Sequence, residues 1–255
     1  MELVAFLTDG RVVGFILLFA RFSSLLAFLP FFSHMTIPVQ VKAALAFYLT
    51  ILFFPMVQPP HFPLTAGYII IALLSEATFG FVVGLILQFV LGYLVMAGEK
   101  ISMVMGFSMA STIDPMTMQN SPIISQFLNM MALMFLLLFD GHHWMIEFIG
   151  HSLTNIPLGG FLITEDLFNV SMKMMANLFA IGFMIAFPIM ALSLLSDIIF
   201  GMIMKTIPTF NLLVIGFPVK IAVSILVLIA VMMPIMTIFQ REFEATMALL
   251  VRLYG

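Results

Sequence analysis

The sequence predicts an all-α, polytopic membrane fold of hydrophobic helical hairpins with kinked helices, and three observations carry that expectation. The chain is 63% hydrophobic and only 8% charged, with a mean hydropathy of +1.23, whereas soluble domains carry about 25% charged residues. Six stretches almost free of charge run Val12 to Phe32, Val39 to Met56, Ala66 to Gly98, Pro122 to Phe139, Met174 to Ser196 and Ile221 to Gln240. Each approaches or exceeds the roughly 20 apolar residues of a spanning helix. The separators between them are short and rich in turn residues: Pro30 to Pro38, Pro55 to Pro63 with Pro59-Pro60, Gly106 to Pro122, and Asn155 to Asp166 with Gly159-Gly160. None is a long polar linker, so one domain over residues 1–255 is expected.

Charge and cysteine content exclude several function classes. Nine basic and twelve acidic side chains are too few for the basic stripe that phosphate backbones require, so no nucleic acid is expected. No cysteine is present, which removes disulfides, thiol nucleophiles and thiolate metal sites. The N-terminus opens MELVAFLTDGR, with an acid in place of a basic leader region, so no cleaved signal peptide is expected. Lys and Arg are spread almost evenly along the chain, and the positive-inside rule assigns no orientation.

Within the apolar stretches lie residues that a simple lipid-facing bundle avoids. Pro188 and Pro234 each remove a helical hydrogen bond and kink their helices. Glu76 and Asp197 are acids at membrane depth, where charge is costly. Each is either a proton-handling carboxylate or, the simpler reading, one neutralised by a base on a neighbouring helix or subunit. Lys220, an ammonium in an apolar context, needs an acidic or carbonyl partner, and Asp197 is the nearest acid in the preceding segment. Gly80 and Gly84 have the small-xxx-small spacing that lets two helix backbones approach.

His143, Glu147 and His151 recur at i, i+4 and i+8, along one face of a helix. Imidazole and carboxylate are zinc ligands in principle, but no HExxH pairing occurs. Asp140-Gly141-His142-His143 instead resembles a polar helix entry, so an interfacial or subunit-contact role for His142 and His143 is preferred, and neither metal nor cofactor is expected. No phosphate loop, nucleophile elbow or catalytic constellation is present; the chain is not expected to be an enzyme.

The segment GFSMASTIDPMTMQNSP from Gly106 to Pro122 is the most irregular part of the chain. It holds one acid, Asp114, two prolines, Pro115 and Pro122, and Met109, Met116 and Met118 among the 24 methionines of the sequence. Irregular backbone at membrane depth is tolerated only where protein buries it or it lines a water-filled cavity. Methionine re-packs around changing shapes, which suits a closed apolar plug that must yield to cargo.

Several motifs, taken in order, resemble one family. They are Gly106-Phe107-Ser108-Met109 with Ile113-Asp114-Pro115, Asp140-Gly141-His142-His143, and Pro208-Thr209-Phe210-Asn211 with Gly216-Phe217-Pro218-Val219-Lys220-Ile221. Their order and separation resemble the FliR family of flagellar type III export-gate proteins, represented in injectisomes by the SctT family, over nearly the whole chain. The sequence departs from it at Asp140, where the family often has Asn, and at Pro208-Thr209, where it often has Pro-Gln. The resemblance implies a single copy joining several FliP-like and FliQ-like subunits in a helical hetero-oligomeric gate, with an FlhB-like switch protein, membrane lipid and unfolded export substrates as further partners. It implies a FliP-like N-terminal part, a FliQ-like C-terminal hairpin, and a pore plug at Gly106, Phe107, Met109, Ile113, Asp114, Pro115, Met116 and Met118. It also implies that the helices need not span lipid singly. An injectisome gate subunit, and more remotely a secondary transporter or membrane enzyme, are the rival readings; the transporter would want an internal repeat, and none is found.

Overall fold

A computed structural model describes residues 10–32, 37–57, 63–106, 122–207 and 209–254. Among these no strand occurs. The helices are α1 (Gly10–Phe28), α2 (Val39–Phe53, continued by a 3-10 turn Phe54–Met56), α3 (Ala66–Met105), α4 (Ile123–Leu138), α5 (Gly141–Asn155), α6 (Glu165–Thr206) and α7 (Phe217–Tyr254), with a π-helical turn at Leu212–Gly216 ahead of α7.

Every hydrophobic stretch read from the sequence falls on a helix, but three helices outrun theirs. α3 continues past Gly98 through Glu99 and Lys100 to Met105, α6 begins at Glu165 and passes Asp197, and α7 passes Gln240. Charged residues suit these ends. Glu165 and Asp166 occupy the first turn of α6 and Lys205 its last, each complementing the helix dipole. Thr164 Oγ1 accepts from Leu167 N at 3.3 Å at the same start. Asn211 Oδ1 caps the π-turn, accepting from Leu213 N and Val214 N at 3.0 and 3.3 Å.

Five helical segments among the described residues are long and apolar enough to cross a membrane, and α4 with α5 makes a sixth if the pair is one broken span. α4 alone has 16 residues, about 24 Å of helix at 1.5 Å per residue and short of a hydrocarbon core of about 30 Å. α3, with 40 residues, reaches about 60 Å, twice that thickness. The longest helices therefore carry much more apolar length than one crossing uses.

The chain divides into two compact units. The first comprises Met1–Phe89, Phe139–Met172 and Phe243–Gly255. Its interior is built from Leu17, Leu18, Phe22 and Leu25 of α1, Phe79 and Val83 of α3, Phe148 and Ile149 of α5, and Phe243 and Leu250 of α7, all fully or almost fully buried. Phe79 is central, with ring centroids of Phe161, Tyr254 and Phe148 at 5.2, 5.9 and 6.4 Å. Gly80 and Gly84 bring α3 onto α1. A Cβ at Gly80 would lie 2.6 Å from the Leu25 backbone nitrogen, and one at Gly84 2.7 Å from the Phe28 carbonyl, so backbone meets backbone as the spacing predicted.

The second unit comprises Val90–Leu138 and Lys173–Glu242. Its buried residues include Leu94, Ala97 and Ile101 of α3, Leu128 and Ala132 of α4, Ala186 and Ile189 of α6, and Ile235 and Phe239 of α7. Hydroxyls stitch the helices where backbones are close: Ser125 Oγ donates to Val95 O at 2.9 Å and Ser193 Oγ to Val104 O at 2.8 Å. Pro188 and Pro234 lie inside α6 and α7.

Candidate functional site

The first unit encloses a charged knot. Arg21 of α1 and Glu76 of α3 are both 0% exposed. Burying two charges costs several kcal/mol per ion unless geometry and further hydrogen bonds repay it, and here they do. Arg21 Nε donates to Glu76 Oε2 and Arg21 Nη2 to Glu76 Oε1 at 2.8 Å, the two-pronged pairing that suits guanidinium to carboxylate. Arg21 Nη1 donates to Ser152 O at 3.3 Å and Ile156 O at 3.1 Å. Ser152 O also accepts from Ile156 N at 3.0 Å, and Ile156 is the C-cap of α5, so the guanidinium adds a donor at the negative end of the helix dipole. Glu76 Oε1 also accepts from Gly159 N at 2.6 Å, in a turn where Gly159 has φ +75°, a conformation glycine adopts without penalty. The guanidinium lies 5.2 Å from the centre of the Phe79 ring. Two helices, a helix end and a turn thus meet at one ion pair.

Glu76, singled out in the sequence, therefore faces a base on a neighbouring helix. Arg21 was not singled out. Its signal was available: Arg21 stands alone inside the first apolar stretch as Glu76 does in the third, and isolated opposite charges in apolar segments seek each other.

The second unit holds another pair. Lys220 Nζ donates to both carboxylate oxygens of Asp197, at 2.7 and 2.8 Å. Exposure is uneven, 8% for the lysine side chain and 53% for the aspartate. Asp197 supplies the counter-charge for a nearly buried ammonium while remaining half exposed itself.

The histidines divide. His143 turns to Asp140, with Nδ1 3.3 Å from Oδ1. His151 Nε2 stands 3.8 Å from Glu147 Oε1, beyond hydrogen-bond reach. The helical face through His143, Glu147 and His151 thus makes two separate polar pairs. His142 is half-buried, its ring centroid 4.1 Å from that of His143 and 6.5 Å from that of Phe31. Beside the second pair, a cavity of about 360 Å³ is lined by Trp144, Glu147, Phe148, His151, Glu244 and Met247, among others.

Of the plug residues, only Gly106 lies among those described. It ends α3 with φ +88°, and its N–H donates to Met103 O at 3.3 Å. A left-handed glycine just past the last helical residue is a helix stop. Phe107, Met109, Ile113, Asp114, Pro115, Met116 and Met118 lie outside the described residues, as does Pro208. At the other end of the segment, Pro122 O accepts from Gln126 N at 3.1 Å and starts α4.

No arrangement among the described residues joins a nucleophile, a base and an orienting group. What the two ion pairs do is fasten helices in an apolar chain. Comparison with known proteins supplies the context. Over 237 residues the chain is 32% identical to the flagellar biosynthetic protein FliR of Bacillus subtilis, covering 91% of each. It is 29% identical to the protein of that name in Escherichia coli, covering 86% of this chain and 84% of the other, and 26% identical to that of Aquifex aeolicus, covering 91% and 89%. Residues 12–246 match the family described as bacterial export proteins, family 1, and with that match over nearly its whole length the chain belongs to this family.

Proposed function

We propose that the chain is a multi-pass subunit of the flagellar type III protein export gate in the bacterial inner membrane, within the flagellar basal body. The observation that carries this reading is the match across nine-tenths of the chain to a flagellar biosynthetic protein. In this reading the chain acts structurally, shaping a pore for unfolded flagellar proteins rather than catalysing a reaction. It assembles as one copy with FliP-like and FliQ-like subunits and meets an FlhB-like switch protein. The N-terminal part serves as the FliP-like portion and the C-terminal hairpin as the FliQ-like portion. Helices twice the thickness of a hydrocarbon core favour such an assembly, because protein neighbours must cover the apolar length that lipid does not.

The segment from Gly106 to Pro122 is the plug. Support comes from its composition and from Gly106, which stops α3 where the apolar helix would otherwise continue. At rest Met109, Met116 and Met118 pack loosely across the passage, obstruct ions, and give way to an exported chain.

Deleting Ser111 to Asn120 in cells that carry the complete gate tests this reading. Ion conductance should rise while the complex still assembles. Normal assembly with no added conductance would remove the plug. Deleting the whole gene should abolish filaments while leaving the membrane intact; cells that still build and rotate filaments would remove the export role. Copurification with two small hydrophobic partners separates a gate subunit from a transporter, which would be active alone.

A further inference from the structure

The geometry points to a transition-metal site of the zinc class at the start of α5, formed by Asp140, His142 and His143. One ligand atom from each of the three lies within 4.8 Å of the others. His143 Nδ1 and Asp140 Oδ1 are 3.3 Å apart. That is about the ligand-to-ligand edge of a tetrahedron whose N and O ligands stand roughly 2.0–2.1 Å from zinc. Two imidazoles and a carboxylate are the donor set that zinc accepts with an open fourth position for water.

Two further observations separate this cluster from an ordinary helix entry. Asp140 occupies the N-cap position of α5 yet makes no side-chain cap hydrogen bond, so the usual employment of an acid there does not account for its carboxylate. His142 Nδ1 is shielded from solvent and has no hydrogen-bond partner among the described residues. Buried polar atoms are normally partnered, and His142 offers one of its two ring nitrogens to the cluster. The rings of His142 and His143 stand 4.1 Å apart and 35° from parallel, which keeps both imidazoles at the same spot.

The surroundings set the strength. Asp140 and His143 are each 67% exposed, which leaves an entry path and room for coordinated water. The positive end of α5 opposes a cation, and the Asp140 carboxylate offsets it. Binding of moderate affinity follows, suited to fastening the chain turn at Asp140, where φ is +59°, rather than to chemistry on a substrate.

The test uses the full-length chain, untagged and purified in detergent, titrated with zinc chloride in a calorimeter. One zinc per chain is expected. His142→Ala and His143→Ala should each weaken binding at least tenfold, Asp140→Asn should weaken it less, and His151→Ala should leave it unchanged. No stoichiometric binding, or binding that survives both His142→Ala and His143→Ala, overturns the site. Loss of binding in His151→Ala overturns it in favour of another set of ligands. Should these variants fail to fold, X-ray absorption on the zinc-loaded wild-type chain decides: two imidazole ligands are expected, and coordination without imidazole overturns the proposal.

Discussion

Arg21 and Glu76 join α1 to α3 through two side-chain hydrogen bonds with neither group exposed to solvent. The pair also holds the end of α5 through Ser152 O and Ile156 O, and the following turn through Gly159 N. Removing one partner strands the other. Arg21→Met should destabilise the protein by about 3–5 kcal/mol, the usual cost of leaving one buried charge uncompensated. Arg21→Met combined with Glu76→Leu should recover part of that, since an apolar replacement of the whole pair removes the stranded charge. Recovery should be incomplete because Ile156 O loses the guanidinium donor, while Ser152 O keeps only Ile156 N. Thermal unfolding of the purified protein in detergent ranks the variants; a double variant no better than the worse single one would refute the account.

Lys220 and Asp197 predict an asymmetry. Lys220→Met leaves an aspartate that is already half open to water. Asp197→Ala leaves a nearly buried ammonium with no counter-charge, at about 1–3 kcal/mol or more. The yield of intact complex should therefore fall further for Asp197→Ala than for Lys220→Met, and the reverse order would show that the lysine's contribution lies elsewhere.

Gly84→Ala should weaken the α1 to α3 contact. The added methyl would sit 2.4 Å from Phe28 Cβ and 2.7 Å from backbone atoms of the same residue, which a rotamer change cannot relieve. Forced separation of packed helices costs about 1–3 kcal/mol. Gly201→Ala supplies the control: no atom lies within 4 Å of its Cβ, and alanine should gain up to about 1 kcal/mol in helix propensity. Unfolding midpoints moving in opposite directions would bear this out.

Gly106→Ala tests the stop of α3. At φ +88° an L side chain costs about 1–2 kcal/mol, and its Cβ would lie 3.1 Å from the Phe217 ring. A lower unfolding midpoint is expected, together with altered conductance if the stop positions the plug. An unchanged midpoint would mean that the chain leaves α3 by another route.

Hydropathy and charge-free length made the helices legible because a chain with so few charges must satisfy its backbone internally in lipid. Residues flanking Gly98, Met174 and Gln240 were harder to place, since charged residues such as Glu99, Lys100 and Lys173 read as an exit from the membrane while remaining good helix formers. α5 was visible as a polar helix entry at Asp140 and in the i, i+4, i+8 spacing of His143, Glu147 and His151, and not as an apolar stretch, because those residues dilute the apolar signal.

By itself the sequence determined the all-α membrane class, the irregular segment from Gly106 to Pro122, the glycine spacing at Gly80 and Gly84, and the family motifs, all of which rest on local chemistry. Lys220 with Asp197 was legible as a pair of neighbouring segments, but only the tertiary structure decided that Arg21 meets Glu76. Arg21 and Glu76 stand 55 residues apart in the chain, and no local preference selects that pairing. It follows from the approach of α1 and α3 at Gly80 and Gly84, which brings both side chains into one buried space where each supplies the other's partner.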